Sequence, residues 1–153
     1  MWDEYSFRQA RRDDVAAIVG LLADDALGAQ REQFEDPLPQ TYYRAFEAID
    51  GDGGHELIVV EKQDRVVATL QVSVLPYLTY RGGSRGQIEA VRVAAHLRGS
   101  GLGSHVFQWA INRARERGCH LVQLTTDKSR PEALRFYEKL GFKASHEGMK
   151  LWF

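Results

Sequence analysis

Between residues 98 and 104 the chain reads Arg98-Gly99-Ser100-Gly101-Leu102-Gly103-Ser104. Glycine at every second position, after an arginine and just before an apolar-periodic run, has a chemical use. The first amides of a helix have no partners within it and carry its partial positive charge. Without Cβ atoms, the main chain lets an anion approach closely. Such a turn cradles a phosphate, and Arg98 can add a charge-assisted contact. Two common phosphate signatures do not fit. The Walker loop closes on Gly-Lys-Ser/Thr, whereas Ser104 follows Gly103 directly. The dinucleotide fingerprint needs a glycine at its sixth position, where Ser104 stands, and an acidic residue about 20 places on, where the chain offers Cys119 and His120. A glycine-rich turn that holds no ligand stays open as the plain alternative.

The elements that must position this turn are legible from periodicity. Residues 5–9 read as a short strand. Asp13 and Asp14 precede Val15, Ile18, Leu21 and Leu22, whose spacing predicts an amphipathic helix. Residues 42–49 read as a second helix, with Tyr43, Phe46 and Ile49 on one side and a glycine-rich stop after it. Strands are expected over 56–62 and 65–75, joined as a hairpin by Gln63-Asp64. Residues 87–95 read as a central strand with both faces buried. The spacing of Leu102, Val106, Phe107, Ala110, Ile111 and Ala114 predicts a helix over 100–118, stopped by Gly118. A strand over 119–126, a helix over 131–140 with Pro131 in its first turn, and one or two strands over 142–152 complete the order. This is an α+β chain, mixed α/β in order, with helices packed on a mostly antiparallel sheet.

Composition narrows the function classes. A chain of 153 residues fits one domain, and 44% hydrophobic with 27% charged residues is ordinary globular usage. A net charge of −1 does not suggest a nucleic-acid binder. No apolar run is long enough to span a membrane, and residues 1–14 lack the apolar stretch of a secretory signal. The one cysteine, Cys119, cannot form an internal disulfide or a Cys-rich zinc site. No metal is expected, and a reducing, cytoplasmic setting fits. The charge is uneven along the chain. Residues 21–56 hold nine acidic side chains against Arg31 and Arg44, while residues 92–150 hold eleven Lys/Arg against five Asp/Glu. Two solvated faces explain that, as does an anionic ligand on the C-terminal half with a cationic one on the other.

Taken with the preceding Ile88-Glu89-Ala90-Val91-Arg92-Val93, the glycine turn resembles the acyl-CoA loop of the GNAT superfamily of N-acetyltransferases. Ala133-Leu134-Arg135-Phe136-Tyr137-Glu138-Lys139-Leu140-Gly141-Phe142 resembles the family's C-terminal motif, with its Phe-Tyr pair and closing Gly-Phe. Arg130, Ala133, Phe136-Tyr137 and Ser145-His146 look most like members that acetylate small aminated molecules, such as aminoalkylphosphonate acetyltransferases.

The resemblance implies a sheet with a splayed central strand pair, helices on both faces, and acetyl transfer from acetyl-CoA to an amine. It implies that Arg98, Gly99, Ser100, Gly101, Leu102, Gly103 and Ser104 hold the pyrophosphate. It also implies that the backbone of Val91, Arg92 and Val93 pairs with pantetheine, one N–H there polarising the thioester carbonyl. Phe136 is expected to pack beside the coenzyme. Arg130 stands where many relatives carry an asparagine that contacts pantetheine, a departure that puts that contact in doubt. A lysine-like amine has a pKa of ~10.4, so making it neutral at pH 7 costs about 4–5 kcal/mol. Glu89, just before the pantetheine strand, is the candidate general base; pairing with Arg92 or Arg85 is the plainer alternative. Tyr137, in the family position of the general acid, would protonate the leaving thiolate, and a core tyrosine is its plainer alternative. The rival to an enzyme is a non-catalytic acyl-CoA sensor of the same fold. The tail Leu151-Trp152-Phe153 reads either as a homodimer surface or as an ordinary last strand.

Overall fold

Alternation on the strands and three-to-four spacing on the helices sort the side chains onto the two faces of one sheet. The computed structural model describes residues 1–153. Its elements are β1 (Tyr5–Gln9), α1 (Val15–Ala23), α2 (Gly28–Arg31), α3 (Gln40–Asp50), β2 (His55–Lys62), β3 (Arg65–Leu75), α4 (Thr79–Gly82), β4 (Arg85–Val93), α5 (Leu102–Glu116), β5 (Leu121–Gln123) and α6 (Pro131–Lys139). Single 3-10 turns precede α1 and α5. The chain divides into two compact units, Met1–Gln123 and Leu124–Phe153.

The first unit holds the sheet, in the order β1-β2-β3-β4-β5. The first three pairings are antiparallel and β4–β5 is parallel. One face carries Ile58, Val60, Ala68, Leu70, Val72 and Ile88, all buried. α5 covers it with Leu102, Val106, Ala110 and Ala114. The approach is close, since a Cβ on Gly86 would lie 2.8 Å from the Ala114 Cβ. On the other face Val59 joins Val15, Ile18 and Val19 of α1 and Phe46 of α3 in a second apolar cluster. Arg8 and the amide of Arg11 both bind the Asp14 carboxylate, which fixes the start of α1 on β1.

An ion-pair cluster ties α5 to β2. Arg113 donates to Glu56 through Nη2 at 2.7 Å and Nε at 3.0 Å, and Arg117 Nη1 lies 3.3 Å from the same carboxylate. These arginines hold the Glu56 carboxyl below the usual carboxylate range, against the cost of burial. A depressed pKa stabilises the fold above the unfolded value and loses that contribution as pH falls through the folded one. Glu56→Gln is expected to cost about 1–3 kcal/mol at pH 7 in urea unfolding. It should also flatten the acid-side fall in stability below about pH 4, the ordinary glutamate range; an unchanged pH profile would remove Glu56 from that role.

Three sequence expectations need correction. The fourth strand is not buried on both faces: Gly86 and Ile88 are buried, Glu89 and Ala90 are exposed, and Val91–Val93 are half-buried. The fifth strand has three residues rather than eight. The helix-ending bond from Cys119 N to Ala114 O and the bond from His120 N to Ser84 O occupy its expected start, and pairing ends at Gln87↔Gln123. Cys119 itself is half-buried, and burial pushes its thiol up. In the second unit, 142–152 forms no strand. A strand is made by its partner more than by propensity, and this stretch has no ladder partner. Met149, Leu151, Trp152 and Phe153 are exposed.

Candidate active site

The parallel pairing of β4 with β5 ends at Gln87. From Arg85 to Gln87, β4 is flanked by β3 and β5. Beyond Gln87, β5 contributes no further pairing, so the far edge of Ile88–Val93 has no strand beside it. Within this stretch Ala90 has φ +54°, and the register shifts so that Ala90 and Val91 together face Leu70. This is a β-bulge, and it re-aims the backbone. A non-glycine residue held there costs about 1–2 kcal/mol, and strain of this kind collects at functional positions.

The strand leads into the glycine turn. Gly99 has φ +78° and Gly101 φ +90°, conformations that favour glycine. Gly101 is the N-cap of α5 and brings no side-chain cap of its own. The Ser100 hydroxyl donates to Leu97 O at 2.6 Å and accepts from Leu102 N, the first amide of the helix, at 3.4 Å. The first backbone bond returning to the turn is His105 N to Gly101 O. Gly103 and Ser104 follow Leu102 in the first helical turn. Leu102 is fully buried and anchors the turn to the core. Trp2 closes one side, its ring 3.6 Å from where a Gly101 Cβ would lie and stacked on His105 at 4.6 Å between centroids.

Arg92 and Arg98 face α1. Arg92 Nε lies 3.1 Å from Asp25. Arg98 donates through Nη2 to the Asp24 carbonyl at 2.7 Å and through Nε to Val93 O at 3.2 Å. They bind the end of α1 to the end of β4 and neutralise two members of the acidic stretch. Two others, Glu35 and Asp36, line a separate cleft of about 410 Å³ with Phe34 and Tyr43.

Glu89 pairs with neither Arg92 nor Arg85, which bind Asp25 and Gln123 instead. It accepts from Gln87 Nε2 at 2.9 Å. Gln123 Nε2 donates to Gln87 Oε1 at 2.8 Å, and Arg85 Nη1 reaches Gln123 Oε1 at 3.4 Å. Gln71 stands opposite Glu89 and Ser73 opposite Gln87; His55 Nδ1 lies 2.6 Å from Ser73 Oγ. A polar stripe therefore crosses the face opposite α5. The sequence reading missed it, although Arg85, Gln87 and Glu89 alternate with Gly86 and Ile88.

In the second unit, the Asp127 carboxylate accepts from Ser129 N and Oγ at 2.8 and 2.7 Å, which holds Asp127 below its usual range. Arg130 is the N-cap of α6, with Nε 4.0 Å from Glu132. Phe136 and Tyr137 are half-buried with rings edge to face at 5.5 Å, and Phe142 lies 6.1 Å from Tyr137.

A family model, the acetyltransferase (GNAT) family, matches residues 23–142, which include the bulged strand, the glycine turn and α6. The chain belongs to the GNAT family. Among its curated relatives, glucosamine 6-phosphate N-acetyltransferase 1 of Oryza sativa is 35% identical over 76% of this chain and 72% of the relative. The glucosamine 6-phosphate N-acetyltransferase of Trypanosoma brucei is 38% identical over 57% of each chain. The aminoalkylphosphonate N-acetyltransferase of Salmonella typhimurium is 39% identical over 40% of each. The chain thus spans a little over half the Trypanosoma protein and under half of the Salmonella one. Of solved structures, a Bacillus halodurans protein described as a transcriptional regulator superposes with a TM-score of 0.94. It is 55% identical, over 97% of this chain and 99% of that one. The five-stranded sheet with one parallel pair and helices on both faces is the GNAT architecture.

Proposed function

We propose that this GNAT chain transfers the acetyl group of acetyl-CoA to a primary amine, by direct attack within a ternary complex. The reading takes residues 1–153 as one catalytic domain at work in the cytoplasm. The observation that carries it is the edge of β4 beyond Gln87, which has no strand beside it, running into a helix whose N-cap is a glycine. A pantetheine arm is a chain of amides, and an open strand edge offers it a ladder. A diphosphate suits the amides of Gly99, Gly101 and Gly103, with the helix charge behind them. The acetyl group then comes to the bulge at Ala90, where re-aimed backbone donors can meet the developing oxyanion. Glu89, exposed beside the bulge and held by one neutral donor, takes the amine proton directly or through water. Tyr137 returns a proton to the CoA sulfur. Phe136 and Arg130 flank the coenzyme. The relatives' names specify small primary amines, which supports an acceptor of that size.

Glu89→Gln is expected to lower kcat about tenfold at pH 7, less than a fully enclosed base would give, because an amine at an exposed site also loses its proton to solvent. The deficit should shrink as pH rises toward ~10, where the amine is already neutral. A deficit that is constant with pH would remove Glu89 as the base.

The description of the Bacillus halodurans protein keeps one alternative in view, a non-catalytic acyl-CoA sensor. Release of CoA from acetyl-CoA across a panel of primary amines decides between them. Turnover with any amine supports the enzyme, and tight binding of acetyl-CoA without turnover supports the sensor.

A further inference from the structure

Arg85 and Glu89 stand on one face of β4, four residues and roughly 13 Å apart along the strand. The contacts of Arg85 are neutral. Nη1 reaches Gln123, and the guanidinium carbon lies 4.6 Å from the Tyr77 ring centre and 5.9 Å from that of Tyr80. Its Nε is buried with no hydrogen-bond partner. Half-buried charges are normally compensated by an opposite charge; here aromatic faces supply part of that compensation. The segment between β3 and β4 that carries both tyrosines is built for its place. Tyr80 and Arg81 have φ of +51° and +59°. Tyr80 lies 5.1 Å from the His120 ring. Gly83 passes that ring so closely that a Cβ would lie 2.6 Å from it. Gln123 and Gln87 then link Arg85 to Glu89. The stripe has a cation at one end, a carboxylate at the other, and uncharged amides between.

We infer that Arg85 binds an anionic group on the acceptor. Resting on the acetyl-transfer reading above, this makes the acceptor a primary amine that also carries a phosphoryl or phosphonyl group, its nitrogen toward Glu89 and its oxyanion toward Arg85. A guanidinium donates directed, charge-assisted bonds to a phosphoryl or phosphonyl oxygen, where a lysine acts as a point charge. The role is one of specificity: Arg85 reads the acceptor and touches no reacting atom.

Isothermal titration on the CoA-saturated protein tests this without requiring turnover. The probes are glucosamine 6-phosphate against glucosamine, and 2-aminoethylphosphonate against ethylamine. At least one phosphorus-bearing amine should bind about ten- to a hundredfold more tightly than its partner, and the pair that shows the gap tells a sugar phosphate from a phosphonate. Arg85→Gln should reduce the gap to within about threefold, and Arg85→Lys should leave an intermediate one. Equal binding within both pairs overturns the inference, as does a gap that survives Arg85→Gln, even where acetyl transfer proceeds. An Arg85-dependent gap without any acetyl transfer upholds Arg85 as the anion site and instead removes the enzymatic reading.

Discussion

Tyr137→Phe lowers kcat by about a hundredfold and leaves the Kd for CoA within about threefold. The first figure is the lower end of what a positioned proton donor contributes. The second follows from how the ring is held. Phe136 and Phe142 meet it edge-on, and the backbone carbonyl of Tyr137 accepts from Leu140 N and Phe142 N at the end of α6. A phenylalanine keeps the edge-on packing and those backbone bonds, so the substitution isolates the hydroxyl. The pH dependence has a definite sign. A thiol with pKa near 8.5 must be protonated as it leaves in neutral solution, whereas well above that pH the thiolate is a stable product. The deficit should therefore be largest near pH 7 and shrink by pH 9.5. Unchanged turnover, or a loss that follows CoA affinity, would assign Tyr137 to packing.

Gly101→Asp raises the Kd for CoA by about a hundredfold or more. Two effects add. Gly101 has φ +90°, and a Cβ there meets the Trp2 ring at 3.6 Å; this contact is ordinary, so the steric part is small and the backbone part moderate. The charge is decisive. A carboxylate about 5 Å from a diphosphate in a partly solvated site opposes it by roughly 3 kcal/mol, near a hundredfold in Kd. Gly101→Ala separates the two, with an expected loss of only a few-fold. Titration followed by the fluorescence of Trp2, which packs on this turn, reads both variants. Equal losses in the two would place the phosphates away from Gly101.

The sequence shows the glycine turn and α5 clearly because both rest on local chemistry, namely alternating glycines and an apolar spacing that only a helix satisfies. β1 and β3 likewise fall where alternation predicts them, at 5–9 and 65–75. The bulge was hidden because alanine occupies the left-handed position and gives no local signal there. The exposure of Glu89 and Ala90 was hidden for a related reason. Whether a strand is buried depends on how far its neighbour runs, and β5 stops after three residues. Pairing of Arg92 and Arg98 with Asp25 and Asp24 joins positions more than sixty residues apart, which no local pattern reports. The glycine turn was therefore readable, while the polar stripe beside it emerges only once β2 through β5 lie side by side.

The central claim is that the amides of the glycine turn hold the coenzyme's diphosphate while the open edge of β4 holds its pantetheine arm. Titrating the 15N-labelled protein with CoA and following each backbone amide tests it directly. The account predicts that Gly99, Gly101 and Gly103 move together with residues 90–93, and that pantetheine, which lacks the diphosphate, moves only the β4 group. Shifts confined to other parts of the chain, or glycine amides that stay still while CoA binds, would contradict it.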